Sequence, residues 1–79
     1  MATQRVKLIY PDSLITRPVL SEVAIKYGVL ANIRRAAVDE DNGWIICELE
    51  GDSAAIEQSM SWMESLGVDV EGLGDVVES

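Results

Sequence analysis

Hydrophobic and polar positions alternate, then cycle, then alternate again along this chain. Arg5 to Tyr10 (RVKLIY) has the period of two of a strand, with Val6, Leu8 and Tyr10 on one side and Lys7 and Ile9 on the other. Pro11-Asp12-Ser13 ends it with turn residues. A helix is then expected from near Thr16, with Thr16 as N-cap and Pro18 in the first turn, where a missing N–H costs nothing. Leu20, Val23, Ala24 and Tyr27 fall on one helical stripe, and Gly28 stops the helix. Asn32 to Val38 returns as a strand. Asn42-Gly43 has the composition of a tight hairpin turn, and Trp44 to Glu50 follows as the third strand. Ile45, Cys47 and Leu49 face one way; Trp44, Ile46, Glu48 and Glu50 face the other. Ser53 can cap a second helix whose inner stripe is Ile56, Met60 and Met63, widened by Ala55, Ser59, Trp62 and Leu66. Gly67 ends it, Val68 to Leu73 reads as a fourth strand, and from Gly74 onward the chain reads as a frayed acidic tail.

The order β-α-β-β-α-β is the split pattern of a ferredoxin-like α+β fold. It implies a four-stranded antiparallel sheet in the order 4-1-3-2, with two helices on one face. Residues 1–79 form one domain, with an ordered core expected over about residues 5–74. The face away from the helices would carry Lys7, Ile9, Trp44, Ile46 and Glu71. A partly apolar, uncovered face usually marks an interaction surface, which here argues for a dimer or for docking to another domain.

Charge and composition remove several function classes. The net charge of −8 at pH 7 argues against nucleic-acid binding and against an anionic membrane surface, both of which call for a basic face. Arg34-Arg35 is the one basic doublet and is too short to be a binding patch. The first ten residues lack the apolar core of a signal peptide, and no apolar run approaches the length of a membrane span, so a cytoplasmic address is expected. With no histidine, imidazole acid–base chemistry and the common nucleophile–histidine pairs are impossible. The single cysteine, Cys47, cannot form an internal disulfide or a cysteine cluster, and its setting in WIICEL is that of a buried small hydrophobe. There is no phosphate-loop glycine pattern. No catalytic residue, metal site or cofactor is expected, and the chain reads as a non-enzyme.

Asp39-Glu40-Asp41 offers paired carboxylates, but counted from Asp39 the glycine falls at the fifth position rather than the sixth that a calcium loop needs. A solvated hairpin tip explains it. Met60 and Met63 beside Trp62 read as core at helical spacing. Asn32 is harder to place, because asparagine is disfavoured in strands. It either stabilises a turn or, as a carboxamide at a sheet edge, bonds the amino and carboxylate groups of an amino acid.

Pro18, Leu20-Ser21-Glu22, Ala24, Gly28-Val29 and Asn32-Ile33 with Ala36, then Gly43, Glu48-Leu49, Gly51, Ala55-Ile56, Trp62-Met63, Val68, Val70-Glu71 and Leu73-Gly74 form one pattern along the chain. Together they resemble the NIL domain, the ferredoxin-like module at the C-terminus of the ATPase subunit of bacterial methionine importers. That module also occurs beside iron–sulfur ferredoxin modules and as small separate proteins. The resemblance implies a homodimeric regulatory domain that binds methionine or a related amino acid near the dimer interface. Asn32 would contribute to that site, with Ile33, Val29 and Leu30 supplying apolar surface for a thioether side chain. The family's Asn-Ile-Leu run has Arg34 in place of leucine. Arg34 would either pair with a ligand carboxylate or face solvent at an edge strand. With no ATPase domain before it and no cysteine cluster after it, the chain is expected to act as a separate small protein. The alternative to ligand sensing is an interaction module that docks a transporter ATPase, a ferredoxin or a sulfur-metabolism enzyme through the open sheet face.

Overall fold

The computed structural model describes residues 1–38 and 43–75. Strand β1 (Ala2–Tyr10) leads through a short 3-10 turn (Asp12–Leu14) into helix α1 (Val19–Tyr27). Strand β2 (Leu30–Val38), strand β3 (Gly43–Gly51), helix α2 (Ser53–Leu66) and strand β4 (Asp69–Asp75) follow. The four strands form one antiparallel sheet in the order β2-β3-β1-β4. Read from the other edge this is β4-β1-β3-β2, so the anticipated strand neighbours are those observed.

Alternation along the strands decides the core. Val6, Leu8 and Tyr10 of β1 lie opposite Cys47, Ile45 and Gly43 of β3, and pack with Val19 and Val23 of α1 and Ile56 and Met63 of α2. Both helices therefore cover the same face of the sheet. Leu14 and Val68 close the ends of this cluster, and Leu8, Leu49, Ile56 and Met63 are its largest fully enclosed side chains. Each fully buried aliphatic side chain contributes about 1.5–3 kcal/mol relative to exposure, which is the main favourable contribution in so small a domain.

Several boundaries differ from the sequence reading. Helix α1 begins at Val19, not near Thr16, and Thr16 does not cap it; Pro18 occupies the N-cap with ψ of 64°. A residue before proline is sterically steered out of the helical region, so Arg17 cannot start the helix. The 3-10 turn uses the intervening residues instead and inserts Leu14 into the core. Val19 consequently joins Val23 as the enclosed pair on α1, while Leu20, Ala24 and Tyr27 are half-buried. At α2 the N-cap is Asp52 rather than Ser53. Gly67 ends α2 in the left-handed region (φ 108°), and the Val68 N–H donates to the Met63 carbonyl at 3.1 Å, the six-to-one bond of a Schellman motif.

All four strands are longer than expected, β3 by Gly43 and Gly51 at its two ends. β1 gains Ala2 to Gln4, which pair with Gly51 to Leu49. β2 starts at Leu30, so Asn32 is a strand residue opposite Glu48 and stabilises no turn. β4 extends through Gly74, opposite Arg5, and Asp75, opposite Gln4, so Gly74 does not begin a frayed tail. A register shift lies between Arg5 and Val6, where Gly74 takes a positive φ of 102° that other residues adopt at a cost. Gly43, expected as a turn residue, is a strand residue paired with Val38 and with Tyr10, and its φ is not positive. Asn42 is one of residues 39–42 between β2 and β3. These, with the acidic run Asp39-Glu40-Asp41, lie outside the described residues.

Candidate functional site

Helix α1 and edge strand β2 diverge after the Gly28 turn and leave an open cleft of about 480 Å³ between them. Its lining is Leu20, Ser21 and Ala24 from α1, Leu30, Ala31, Asn32 and Ile33 from β2, and Glu50 from β3. The local sequence produces this arrangement. Gly28 reverses the chain at φ 69°, its N–H bonded to the Ala24 carbonyl, and Val29 is driven fully into the core, which anchors the start of β2. With no strand beyond it, β2 leaves Leu30 and Ile33 more than half exposed at the cleft.

Of the five residues singled out in the sequence, the structure brings Leu30, Asn32 and Ile33 together in the cleft. Val29 is fully buried beneath it. Arg34 lies elsewhere. The register moves from Ile33 opposite Cys47 to Arg35 opposite Ile46, so Arg34 is the extra residue of a bulge. Its guanidinium sits 3.0 Å from a Glu48 oxygen on the helix-free face of the sheet. The sequence reading missed Leu20, Ser21, Ala24 and Glu50 as cleft residues. Leu20 and Ala24 were assigned to the core stripe, and their half-burial at one margin of that stripe is what exposes them here.

Chemically, the cleft suits a small amphipathic molecule. Leu20 and Ala24 of α1 and Ile33 of β2 offer an apolar wall and the Ser21 hydroxyl can donate and accept, while Leu30 and Asn32, opposite Glu50 and Glu48, border the cleft along the β2 edge with their side chains on the helix-free face of the sheet. The lining contains no cation. Among the described residues, no cluster of cysteine and carboxylate groups could hold a metal ion.

The opposite, helix-free face is organised by Glu48. Arg5 donates to one of its oxygens at 2.9 Å and Arg34 donates to the other at 3.1 Å. The two guanidiniums roof the carboxylate, whose side chain is 8% exposed against 46% and 56% for theirs. The Arg5 hydrogen bond, reinforced by Arg34, holds the Glu48 carboxyl below the usual carboxylate range. Next to this triad the Lys7 ammonium sits 5.5 Å from the centre of the Trp44 ring, a cation–π contact. Cys47 points the other way into the core, where burial and then the neighbouring Glu48 charge push its thiol up to about 11. A thiol in that state is unreactive at neutral pH.

A second concavity, of about 640 Å³, runs beside α2 between Tyr27 and Trp62, whose rings lie 6.2 Å apart. Lys26 and Arg17 both approach the Trp62 ring, and Arg17 is clasped by Glu22 at 2.7 Å, which ties the turn before α1 to the helix. Among the described residues, no helix is long and apolar enough to cross a membrane.

Comparison with known proteins places the chain. The iron–sulfur subunit of L-aspartate semialdehyde sulfurtransferase from Methanocaldococcus jannaschii is 31% identical over 64 residues, which are 81% of this chain and 48% of that protein. The chain thus spans about half the length of that curated relative. The C-terminal domain of an ABC transporter ATP-binding protein from Enterococcus faecalis superposes with a TM-score of 0.78 at 20% identity, over 90% of this chain and 83% of that one, so the two share a fold. The NIL domain model matches residues 4–72, which takes in both helices, β2, β3 and most of β1 and β4, and the chain therefore belongs to the NIL domain family.

Proposed function

We propose that this chain is a non-enzymatic regulatory domain with a ferredoxin-like fold that senses methionine or a related small amino acid while paired with a second copy. The observation that carries this reading is the open cleft between α1 and β2, lined by Leu20, Ser21, Ala24 and Ile33 and bordered along the β2 edge by Leu30 and Asn32, with a volume that suits one amino acid. Its lack of a cation supports a shared site, because a ligand carboxylate would gain a better partner from a second copy. Calorimetric titration with methionine, homocysteine and leucine tests the reading. Methionine is expected to bind with one site per chain, and Asn32→Ala to weaken binding at least tenfold, in line with the loss of two or more hydrogen bonds to charged groups. No heat and no thermal shift at millimolar methionine would refute it.

A second reading, docking to another protein, has its own support. One relative is by description a subunit of an enzyme and the structural neighbour is a domain of a transporter ATPase. On that reading the sheet face carrying Trp44, Ile46 and Ile9 would meet a transporter ATPase, a ferredoxin or a sulfur-metabolism enzyme in the cytoplasm. Capture of such a protein by the wild-type chain but not by Trp44→Glu would favour it.

A further inference from the structure

The sheet has two open edges, and the chain protects them differently. Strand β4 carries Asp69, Glu71 and Asp75, and its register shifts before Gly74. Charges and bulges of that kind keep other strands off an edge. Strand β2 is protected only in its second half, by the Arg34 bulge and by Arg35. Its first four residues, Leu30-Ala31-Asn32-Ile33, bear no charge and pair with β3 in unbroken register. No strand lies on their other side, so alternate residues direct their N–H and C=O groups outward. Helix α1 stands off from this same stretch, and Leu20, Ser21 and Ala24 wall the cleft between them. An uncharged open edge beside an apolar wall is where an extended peptide adds to a sheet, with backbone bonds giving affinity and alternate side chains giving specificity.

We infer that the cleft takes an extended segment of a partner protein, added antiparallel to β2 as a fifth strand over Leu30–Ile33. The inference rests on the reading of this cleft as a binding site given above, and does not require that its small ligand be methionine.

The register defines the segment. Ile33 and Ala31 lie opposite Cys47 and Leu49, which are buried on the helix side. Guest residues directly across from Ile33 and Ala31 therefore enter the cleft against Leu20 and Ala24, and are apolar. Asn32 and Leu30 lie opposite Glu48 and Glu50, so guest residues across from them stand on the helix-free face and are polar. Backbone pairing stops at the bulge. In the antiparallel sense, the N-terminal end of the guest arrives there. Arg34 is engaged by Glu48, whereas Arg35 is exposed and, among the described residues, makes no ion pair. Carboxylates at the N-terminal end of the guest meet it. The partner segment is thus acidic first and then alternates apolar with polar. The same charges exclude it from the β4 edge, where Asp69, Glu71 and Asp75 would repel it.

An amide-resolved NMR titration of the full chain with the peptide Glu-Asp-Ile-Thr-Val-Thr, acetylated and amidated, tests this. Shifts are expected at Leu30–Ile33 and at Leu20, Ser21 and Ala24, with Asp69–Asp75 unmoved. Two N-methylated forms separate strand addition from side-chain contact, one methylated at Ile and Val and the other at both Thr. Only alternate amides of an added strand face β2, so one form should bind at least tenfold more weakly than the other. Arg35→Glu should weaken the parent peptide by about two- to fivefold, as for one exposed ion pair, and should favour Lys-Lys-Ile-Thr-Val-Thr instead. No shift at about 1 mM peptide, shifts confined to β4, or equal binding of the two methylated forms would overturn the inference. Shifts of the same β2 amides as the chain alone is concentrated would place a second copy on this edge and overturn it too. Methionine binding without peptide binding would refute this inference and leave amino-acid sensing standing. Peptide binding without methionine binding would do the reverse.

Discussion

The two faces of the sheet are built from the same strands and use opposite chemistry. On the helix side, Val6, Leu8, Cys47 and Leu49 are fully buried, and the strands are held to α1 and α2 by the removal of apolar surface from water. On the other side, Arg5, Lys7 and Trp44 remain partly in solvent, Glu48 is roofed over, and the four are ordered by an ion triad and a cation–π contact. Stability lives on one face, while the other is free to carry specificity. The largest expected effect follows directly. Leu8→Ala should destabilise by about 2–5 kcal/mol in chemical denaturation, because it opens a cavity at the centre of the core. Ile9→Ala, its neighbour on the open face, should cost well under half as much in the isolated monomer. Equal losses would mean that the two faces are equally buried, as they would be in a tight dimer.

Cys47 and Glu48 make the same contrast in adjacent residues. The Cys47 thiol should resist a disulfide reagent at pH 8 until the protein unfolds. Its acidity gives a further test. The folded-state value is raised, from 9.0 to about 11, so its contribution is complete below pH 9 and is lost as pH rises through 11, by about 2 kcal/mol. Cys47→Ala should remove most of that alkaline slope. An unchanged slope would assign it to Tyr10, which burial pushes up to about 12.

The sequence carried the element order and the inward face of nearly every strand, because a period of two in RVKLIY and WIICELE admits one assignment of faces. It carried less about boundaries. Thr16 and Ser53 have good capping side chains, yet the steric effect of Pro18 and the pairing of Gly51 with Ala2 moved both helix starts. Cross-strand pairing lengthened all four strands at residues with little strand propensity of their own, such as Gly43, Gly51 and Gly74. For the cleft, Asn32, Ile33 and Leu30 were identifiable from their run. Ser21 and Glu50 were not, since only the fold brings α1 and β3 to that edge. Arg34 was the most ambiguous residue, and the bulge that turns it toward Glu48 is not visible in the pattern of a single strand.

Glu48 gives the smallest and most diagnostic effect. Its folded-state acidity lies below the ordinary value of 4.5, chiefly through the Arg5 hydrogen bond and then through Arg34. A lowered carboxylate contributes stability that is complete above the unfolded value and is lost as pH falls through the folded one. Acid unfolding of the wild-type chain should therefore steepen below about pH 4.5, and Glu48→Gln should flatten that slope while changing neutral-pH stability little in the monomer. Glu22, also lowered by its bond to Arg17, titrates in the same range, and Glu22→Gln separates the two. If Glu48→Gln leaves the acid slope intact, the triad is a solvated decoration of the open face. If it flattens the slope as far as removing Arg5 and Arg34 together does, the carboxylate orders the open face through both guanidiniums. Specificity on the open face would then be built on the same residue that orders it in the single chain.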